Sequence, residues 1–250
     1  MRGQCVGVVS GKGGTGKTSF VVGAASALAL RGKRSLCLDC DVGLRNLDLA
    51  MGLTDRAVMD FTDVAAGRCS LEEAAVEHPR LPGLFLLNAP VRGRSDEATE
   101  EGIRVLLNAV REQFDFCLLD APAGLGPGFD LATCGADRVV VITVSDPAAL
   151  RDAQHTVMRL DRFPPGSVHL VVNRMRRKLM RDARATIDDA MDQAGLPLLG
   201  VVPEDDALPL ALSRETPLAV FAPQSPAARA YRNIASRMLG EYTPLPRNMR

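Results

Sequence analysis

Near the start of the chain runs the segment Gly11-Lys12-Gly13-Gly14-Thr15-Gly16-Lys17-Thr18. It matches the pattern G-x-x-x-x-G-K-S/T, in which glycines let backbone N–H groups turn toward phosphate oxygens. The apolar run before it, Gln4–Ser10, predicts a buried strand, and the Ala- and Leu-rich Thr18–Leu30 predicts a helix. Such a helix points its N-terminus at a bound anion. The segment and its flanks therefore predict a phosphate-binding loop between a strand and a helix.

Two side chains of this loop have predicted roles in binding a nucleotide. Lys17 supplies positive charge to the β- and γ-phosphates, and the hydroxyl of Thr18 is suited to a Mg²⁺ ion. The glycines and the remaining loop residues would surround the phosphates with their backbone. The predicted phosphate-contacting set is Gly11, Lys12, Gly13, Gly14, Thr15, Gly16, Lys17 and Thr18.

Apolar runs and helical patterns alternate along the rest of the chain. The runs are rich in Val, Leu and Ile without regular polar positions, as in parallel strands buried on both faces. The later predicted strands are Arg34–Asp39, Leu84–Leu87, Phe114–Asp120, Arg138–Val144, Val168–Asn173 and Leu198–Val202. The later predicted helices are Thr62–Glu77, Glu97–Gln113, Ala148–Leu160, Arg177–Ala194 and Pro226–Leu239, and Ala121–Phe129 is predicted as an irregular loop. The alternation predicts an α/β fold, a single doubly wound and mostly parallel sheet with helices on both faces, over residues 1–240.

The composition favours a soluble globular chain. Of its 250 residues, 46% are hydrophobic and 24% charged, and the longest uncharged apolar run, Phe20–Leu30, is too short to span a bilayer. Thirty acidic and thirty basic residues balance, so bulk charge favours neither a nucleic-acid nor a membrane partner. With six cysteines and no recognisable secretory signal, we expect a reduced, cytoplasmic setting. Residues three apart in a strand point to opposite faces, so Cys37 and Cys40 are interpreted as packing residues.

Carboxylates end two of the predicted strands. Asp39 and Asp41 close the second strand, and Asp120 ends an apolar run in the way typical of a carboxylate in a Mg²⁺ shell. The carboxyl ends of parallel strands face the ligand crevice. Of Asp39 and Asp41, one can serve Mg²⁺ through water while the other orients the attacking water, and strand geometry alone leaves the assignment open.

The strand that ends at Asn173 bears on the choice of base. A guanine site would show Asn-Lys-x-Asp, but this chain continues with Arg174, Met175 and Arg176 and offers no carboxylate. The amide of Asn173 can hydrogen-bond an adenine edge. The alternative is that Asn173 only caps the strand end. The pattern favours ATP over GTP.

Three segments resemble the MinD/ParA family of deviant Walker A ATPases, and most closely its MinD branch. They are the loop with its second lysine, Lys12; the run Asp39-Cys40-Asp41-Val42-Gly43-Leu44-Arg45-Asn46-Leu47-Asp48; and Asp120-Ala121-Pro122-Ala123-Gly124. The resemblance covers nearly the whole chain. It implies an ATPase domain over residues 1–240 that forms a homodimer when ATP and Mg²⁺ are bound.

The resemblance also assigns individual roles. It implies that Lys12 acts on the ATP of the partner subunit, that Asp41 positions the attacking water, and that Asp39 supports the Mg²⁺ site. The run Val201-Val202-Pro203-Glu204-Asp205 resembles the loop that lines the adenine, which adds Pro203 and Glu204 to the predicted site. The implied function is septum placement in cell division, under the control of an activating or effector protein. The alternatives are ParA-like or flagellar-number-type positioning on DNA or a protein partner.

Two surface features concern where in the cell the protein acts, and the sequence leaves this open. MinD proteins end in a basic amphipathic helix that binds membrane, whereas prolines interrupt the basic tail, residues 241–250, so we expect weak affinity for the inner face of the membrane. Arg229, Arg232 and Arg237 add positive charge before the tail. Within the basic stretch Arg174–Arg184, a set of four arginines recurs at helical spacing, as a solvated helix face or a nonspecific DNA surface: Arg174, Arg177, Arg181 and Arg184. A metal-cluster carrier would need exposed cysteines, for which only Cys134 is suitably placed.

Overall fold

One sheet runs through the part of the chain that the computed structural model describes, which is residues 2–42, 45–56, 58–90, 100–176, 178, 182 and 186–245. Its strands are β1 Gln4–Val9, β2 Ser35–Asp39, β3 Val76–Glu77, β4 Leu84–Leu87, β5 Phe116–Asp120, β6 Arg138–Thr143, β7 Val168–Met175 and β8 Leu198–Pro203. They lie in the order β3-β4-β2-β5-β1-β6-β7-β8. All neighbours are parallel except β3 and β4, which are antiparallel. The predicted mostly parallel sheet is confirmed.

Helices cover both faces of this sheet. They are α1 Lys17–Ala29, α2 Asn46–Met51, α3 Phe61–Ala65, α4 Leu71–Ala74, α5 Glu100–Gln113, α6 Pro127–Cys134, α7 Pro147–Met158, α8 Ile187–Ala194, α9 Ala207–Ser213, α10 Leu218–Phe221 and α11 Pro226–Met238. One buried cluster joins the sheet to α1, α2, α9, α10 and α11, and the other joins it to α3 through α8. Cys37 packs in the first cluster and Cys40 in the second, which confirms that they face opposite sides. No helix in these described ranges is both long and apolar enough to cross a bilayer.

The predicted helix Thr62–Glu77 is wrong. The chain forms α3, turns at Gly67 with a φ of 69°, and begins the separate α4 after Ser70. Ser70 forms a reciprocal capping box with Glu73, which fixes a new helix start. Residues Val76–Glu77 then pair with β4. Strong local capping and a sheet edge therefore override the amphipathic pattern.

The predicted helix Arg177–Ala194 is also wrong as one continuous element. Thr186 is extended, with φ −119° and ψ 167°, and caps α8 through the backbone N–H of Asp189. Of residues 177–185, only 178 and 182 are described. The predicted helix Glu97–Gln113 is found from Glu100, since 91–99 lie outside the described residues.

Several short helices have no counterpart in the prediction. These are α2, α6, α9 and α10, each of eight residues or fewer. The predicted irregular loop Ala121–Phe129 gives way to α6 at Pro127, which takes the first helical position. A segment of two turns or less shows too little periodicity to be recognised.

The chain beyond α11 lies against the protein as far as residue 245. Arg237 donates to the backbone oxygen of Thr243 at 2.9 and 2.8 Å and to that of Leu199 at 2.8 Å. Arg31 pairs with Glu241, and Leu245 packs on a core cluster. The guanidinium of Arg237 is thus engaged by the protein itself, and its contribution of charge to a lipid-binding surface stays a prediction. Residues 246–250 lie outside the described chain.

Close packing between α1 and α11 gives a stability prediction. A Cβ on Gly23 would lie 2.4 Å from the ring of Tyr231, which is buried and meets Phe20 edge to face. We expect Gly23→Ala to lower the free energy of unfolding by about 1–3 kcal/mol, because overpacking outweighs alanine's better helix propensity. Urea unfolding measures the change, with Gly126→Ala as the control because a Cβ on Gly126 would meet no atom within 4 Å. Wild-type stability in Gly23→Ala would contradict the packing argument.

Candidate functional site

The loop between β1 and α1 needs glycine at two positions for conformational reasons. Gly14 and Gly16 have φ of 77° and 90°, in the left-handed region that glycine adopts at low cost. A Cβ on Gly16 would also lie 2.3 Å from Nδ2 of Asn173. The loop leads into α1 at Lys17, so the unpaired N–H groups of the first helical turn face the loop. This arrangement suits a phosphate group.

Lys17 is held inside the loop rather than extended into solvent. Its side chain is 7% exposed, and Nζ donates to Oγ of Ser10 at 2.9 Å. Ser10 in turn donates to the backbone oxygen of Lys12 at 2.7 Å. Burial lowers the pKa of Lys17, and the charges of Asp120 and Asp41 act in the opposite direction. The lysine is thus fixed at the N-terminus of α1.

Asp120 and Thr18 form a pair suited to a divalent cation. The register of the central strands sets Asp120 beside Val8 of β1 and Asp39 of β2. Thr18 Oγ1 donates to Oδ2 of Asp120 at 2.6 Å, while Oδ1 of Asp120 is buried without a hydrogen-bond partner. Burial raises the pKa of Asp120 to about 7. A buried carboxylate oxygen with no partner, beside a hydroxyl, fits the oxygen donor set of Mg²⁺.

Asp39 and Asp41 occupy different environments. Asp39 is 1% exposed; its Oδ1 accepts from the backbone N–H of Asp41 at 2.8 Å and its Oδ2 from that of Leu47 at 3.4 Å. Burial raises the pKa of Asp39 to about 7. Asp41 is half-buried, and burial raises its pKa against the charge of Lys17. Asp39 therefore orients the segment after β2, whereas no hydrogen bond occupies the carboxylate of Asp41 in the part of the chain described.

A cavity of about 290 Å³ opens beside the loop. Its walls are the loop itself, the last residues of β7, and the residues that follow β6, β7 and β8. The lining residues are Lys12, Gly13, Gly14, Thr15, Val144, Ser145, Asp146, Arg174, Arg176 and Glu204. The volume is close to the lower end of the range for small-molecule sites. Arg176 donates to Glu204 at 2.6 Å across the far wall.

The three predicted base-contacting residues are placed differently. Glu204 lines the cavity, Pro203 is buried at the end of β8, and Asn173 is 1% exposed behind the loop. Nδ2 of Asn173 donates to the backbone oxygen of Thr15 at 2.7 Å, and its Oδ1 has no partner. Asn173 therefore does not simply cap its own strand. Its side chain holds the phosphate-binding loop, and we call this hydrogen bond between Asn173 and Thr15 the brace. Adenine contact by these residues stays a prediction.

Arg174 and Arg176 are not on a helix, contrary to the predicted basic face. Arg174 lies within β7, with a φ of 49°, and both side chains line the cavity. The strand extends two residues further than predicted, through Met175, and carries these arginines to the carboxyl edge. Arg177, Arg181 and Arg184 lie outside the described residues.

Sequence reasoning missed several residues of this site. Ser10 immediately precedes the loop, and Ser145 and Asp146 follow β6. The available signal was their position after predicted parallel strands, because such strand ends meet at one edge of the sheet. The brace between Asn173 and Thr15 has no sequence signal, since 158 positions separate the two residues.

The brace gives a second prediction. Asn173→Asp replaces the buried donor with an acceptor that faces the backbone oxygen of Thr15 and adds negative charge behind the loop. We expect ATP affinity to fall by about 10- to 100-fold, corresponding to the loss of a buried hydrogen bond. Titration with a fluorescent ATP analogue measures it. Asn108→Asp is the matched control, because Asn108 accepts from Arg2 at an exposed position; equal losses in both variants would contradict a role for the brace.

Comparison with known proteins gives consistent matches. A family model described as the CobQ/CobB/MinD/ParA nucleotide binding domain matches residues 6–218. The septum site-determining protein MinD of Bacillus subtilis is 38% identical over 250 residues, covering 97% of this chain and 91% of the relative. The MinC:MinD cell division protein complex of Aquifex aeolicus superposes with a TM-score of 0.87 at 31% identity, covering 97% and 98% of the two chains. MinD from Pyrococcus horikoshii, complexed with Mg-ADP, superposes with a TM-score of 0.81 at 27% identity, covering 93% of this chain and 94% of the other.

Proposed function

The chain belongs to the CobQ/CobB/MinD/ParA nucleotide-binding-domain family, and we propose that it is an ATP-hydrolysing switch of the MinD type that acts in septum placement. The proposal rests on one observation: the phosphate-binding loop contains two lysines in different environments. Lys17 is buried at the start of α1, while the exposed Lys12 lines the cavity beside it. In this proposal Lys17 binds the nucleotide of its own subunit, and Lys12 contacts the nucleotide of a second subunit.

Nucleotide and metal have separate binding groups in this proposal. The loop N–H groups and Lys17 bind the phosphates of ATP, and Thr18 and Asp120 hold Mg²⁺, with Asp39 orienting the segment after β2. Mg²⁺ supplies positive charge against the phosphate oxygens. The unpartnered Oδ1 of Asp120 supports this assignment.

Hydrolysis in this proposal depends on Asp41. Its half-buried carboxylate lies near Lys17 and has no hydrogen-bond partner within the described chain. Such a group can orient a water molecule for attack on the γ-phosphate. Burial raises the pKa of this carboxylate, and the charge of Lys17 acts in the opposite direction.

The switch itself is a change of assembly. ATP bound between two copies joins them, with each Lys12 contacting the nucleotide of the other copy, and hydrolysis releases them. The Aquifex relative assembles with MinC. We propose that an effector of that kind, or an activating protein, reads the ATP-bound dimer of this chain. The ATPase unit in this proposal is residues 1–240.

A phosphate-release assay tests the activity directly. We expect Mg²⁺-dependent release from ATP and much less from GTP, because Asn173 is followed by Arg174, Met175 and Arg176 and not by the Lys-x-Asp of a guanine site. Lys17→Ala is the negative control, which measures phosphate release by contaminating ATPases. Equal release from both nucleotides, or release by Lys17→Ala at the wild-type rate, would contradict the proposal.

For location, we propose action in the cytoplasm without strong intrinsic binding to membrane. Arg237, a candidate for lipid contact, and Leu245 of the basic tail are both engaged by the protein itself. In cosedimentation with anionic liposomes at physiological salt, we expect the chain to stay in the supernatant with either ATP or ADP. Pelleting in ATP alone would contradict this and identify the tail as a nucleotide-controlled anchor.

A further inference from the structure

Helices α9 and α10 carry an apolar surface away from the nucleotide site. Leu210 is 56% exposed, Leu212 44% and Phe221 40%, although single exposed apolar side chains are ordinary. Leu210 and Phe221 line a groove of about 610 Å³, whereas Leu212 is not among its lining residues. The groove is lined by Arg80, Leu210, Arg214, Thr216, Val220 and Phe221. A concave surface of this kind with grouped apolar residues is typical of a protein-binding site.

The two charged residues that line the groove are both basic. Arg80 and Arg214 line it, and within the described chain neither side chain forms an ion pair or a hydrogen bond. Arg56 lies nearby, since it and Arg80 are both close enough to His78 to lower its pKa, an effect that burial of the imidazole dominates. The groove is therefore lined by apolar and basic residues together. The two arginines favour a partner with acidic side chains.

The turn between α9 and α10 also touches the segment that follows Asp39. A Cβ on Gly52, the residue that ends α2, would lie 2.0 Å from the backbone oxygen of Glu215. Glu215 itself has a φ of 45°. The other end of α2 is tied to the nucleotide site, because Leu47 donates to Asp39. A single short helix thus connects the groove to the site.

We propose that this groove docks an acidic amphipathic helix of a protein partner. Apolar side chains at helical spacing fill the space between Leu210, Val220 and Phe221, and flanking carboxylates meet Arg80 and Arg214. The chain's own tail does not fit, because Arg247 and Arg250 make its end basic. A second copy does not offer its acidic helix α8 either, since Ile187, Ala190 and Ala194 are buried in its own core.

Fluorescence anisotropy with a synthetic helical peptide tests the proposal. The probe has about 16 residues, roughly 24 Å of helix, with Leu along one face and Glu on both flanks. A scrambled peptide of identical composition and a version with Lys in place of Glu are the comparison probes. We expect saturable binding of the acidic amphipathic peptide alone, weakening as salt is added.

Variants locate the binding. We expect R80E/R214E and, separately, Phe221→Asp to lower the affinity for the acidic peptide by about tenfold or more. Arg104→Glu, an exposed charge reversal on α5, is the matched control and should bind as the wild type does. Thermal melts and ATP binding confirm that each variant is folded. Binding of the scrambled or basic peptide equal to that of the acidic one, or equal binding by all variants, would overturn the proposal; so would self-association of the free protein that Phe221→Asp abolishes.

Discussion

Lys12→Ala is expected to abolish ATP-dependent dimerisation and to leave ATP binding within about threefold of the wild type. The exposed side chain of Lys12 lines the open side of the cavity, whereas its backbone oxygen accepts from Ser10. Alanine keeps that backbone bond and leaves Lys17 in place. Only the charge offered to the second nucleotide is lost, and two ATP molecules then meet across the interface with less positive charge between them.

Light scattering after gel filtration and titration with a fluorescent ATP analogue separate the two effects. Lys33→Ala is the matched control, because Lys33 pairs with Asp115 at 3.7 Å, beyond the end of α1 opposite to the loop. A Lys12→Ala protein that dimerises normally with ATP would remove the cross-subunit role. A variant that no longer binds ATP would make Lys12 a ligand of its own subunit's nucleotide.

Asp41→Ala is expected to slow ATP hydrolysis by about 10²- to 10⁴-fold and to leave the ATP-bound dimer intact. The reason is that Asp41 has no structural bond through its carboxylate in the described chain, so its removal should cost little stability. Phosphate release and light scattering on the same sample measure both outcomes. The dimer should persist for as long as ATP remains.

The isosteric variant Asp41→Asn refines this prediction. Asparagine can still hydrogen-bond water but accepts no proton, so a comparable loss of rate points to proton transfer or charge. Full activity in Asp41→Asn combined with inactivity in Asp41→Ala points to positioning of the water. Rapid hydrolysis by Asp41→Ala itself would exclude Asp41 from the reaction.

The parts of the site that follow from sequence are those fixed by strand order. Asp39 and Asp120 are predicted to lie together because both end buried strands, and the register of β2 and β5 pairs them directly. Lys17 and Thr18 are predicted at the start of a helix, where α1 has them. For Asp39 and Asp120 the local pattern is an apolar run followed by a carboxylate, and for Lys17 and Thr18 it is the glycine-rich loop before a helix.

The parts that do not follow from sequence depend on contacts between distant segments. The amide of Asn173 is predicted at the base, but its donor is used by Thr15 across the sheet edge. The spacing of Arg174 to later arginines predicts a helix, yet β7 continues through this residue. No sequence pattern predicts the groove beside α9 and α10. Helices this short show no clear periodicity, and one of the lining residues, Arg80, comes from a distant part of the chain.

Sedimentation velocity of the wild-type chain measures directly whether the nucleotide controls the assembly of two copies. The protein is measured with Mg²⁺ and a slowly hydrolysed ATP analogue, and again with Mg²⁺ and ADP. We expect a particle of twice the chain mass with the ATP analogue and a particle of one chain mass with ADP. The same mass in both nucleotides, whether monomer or dimer, would contradict this expectation.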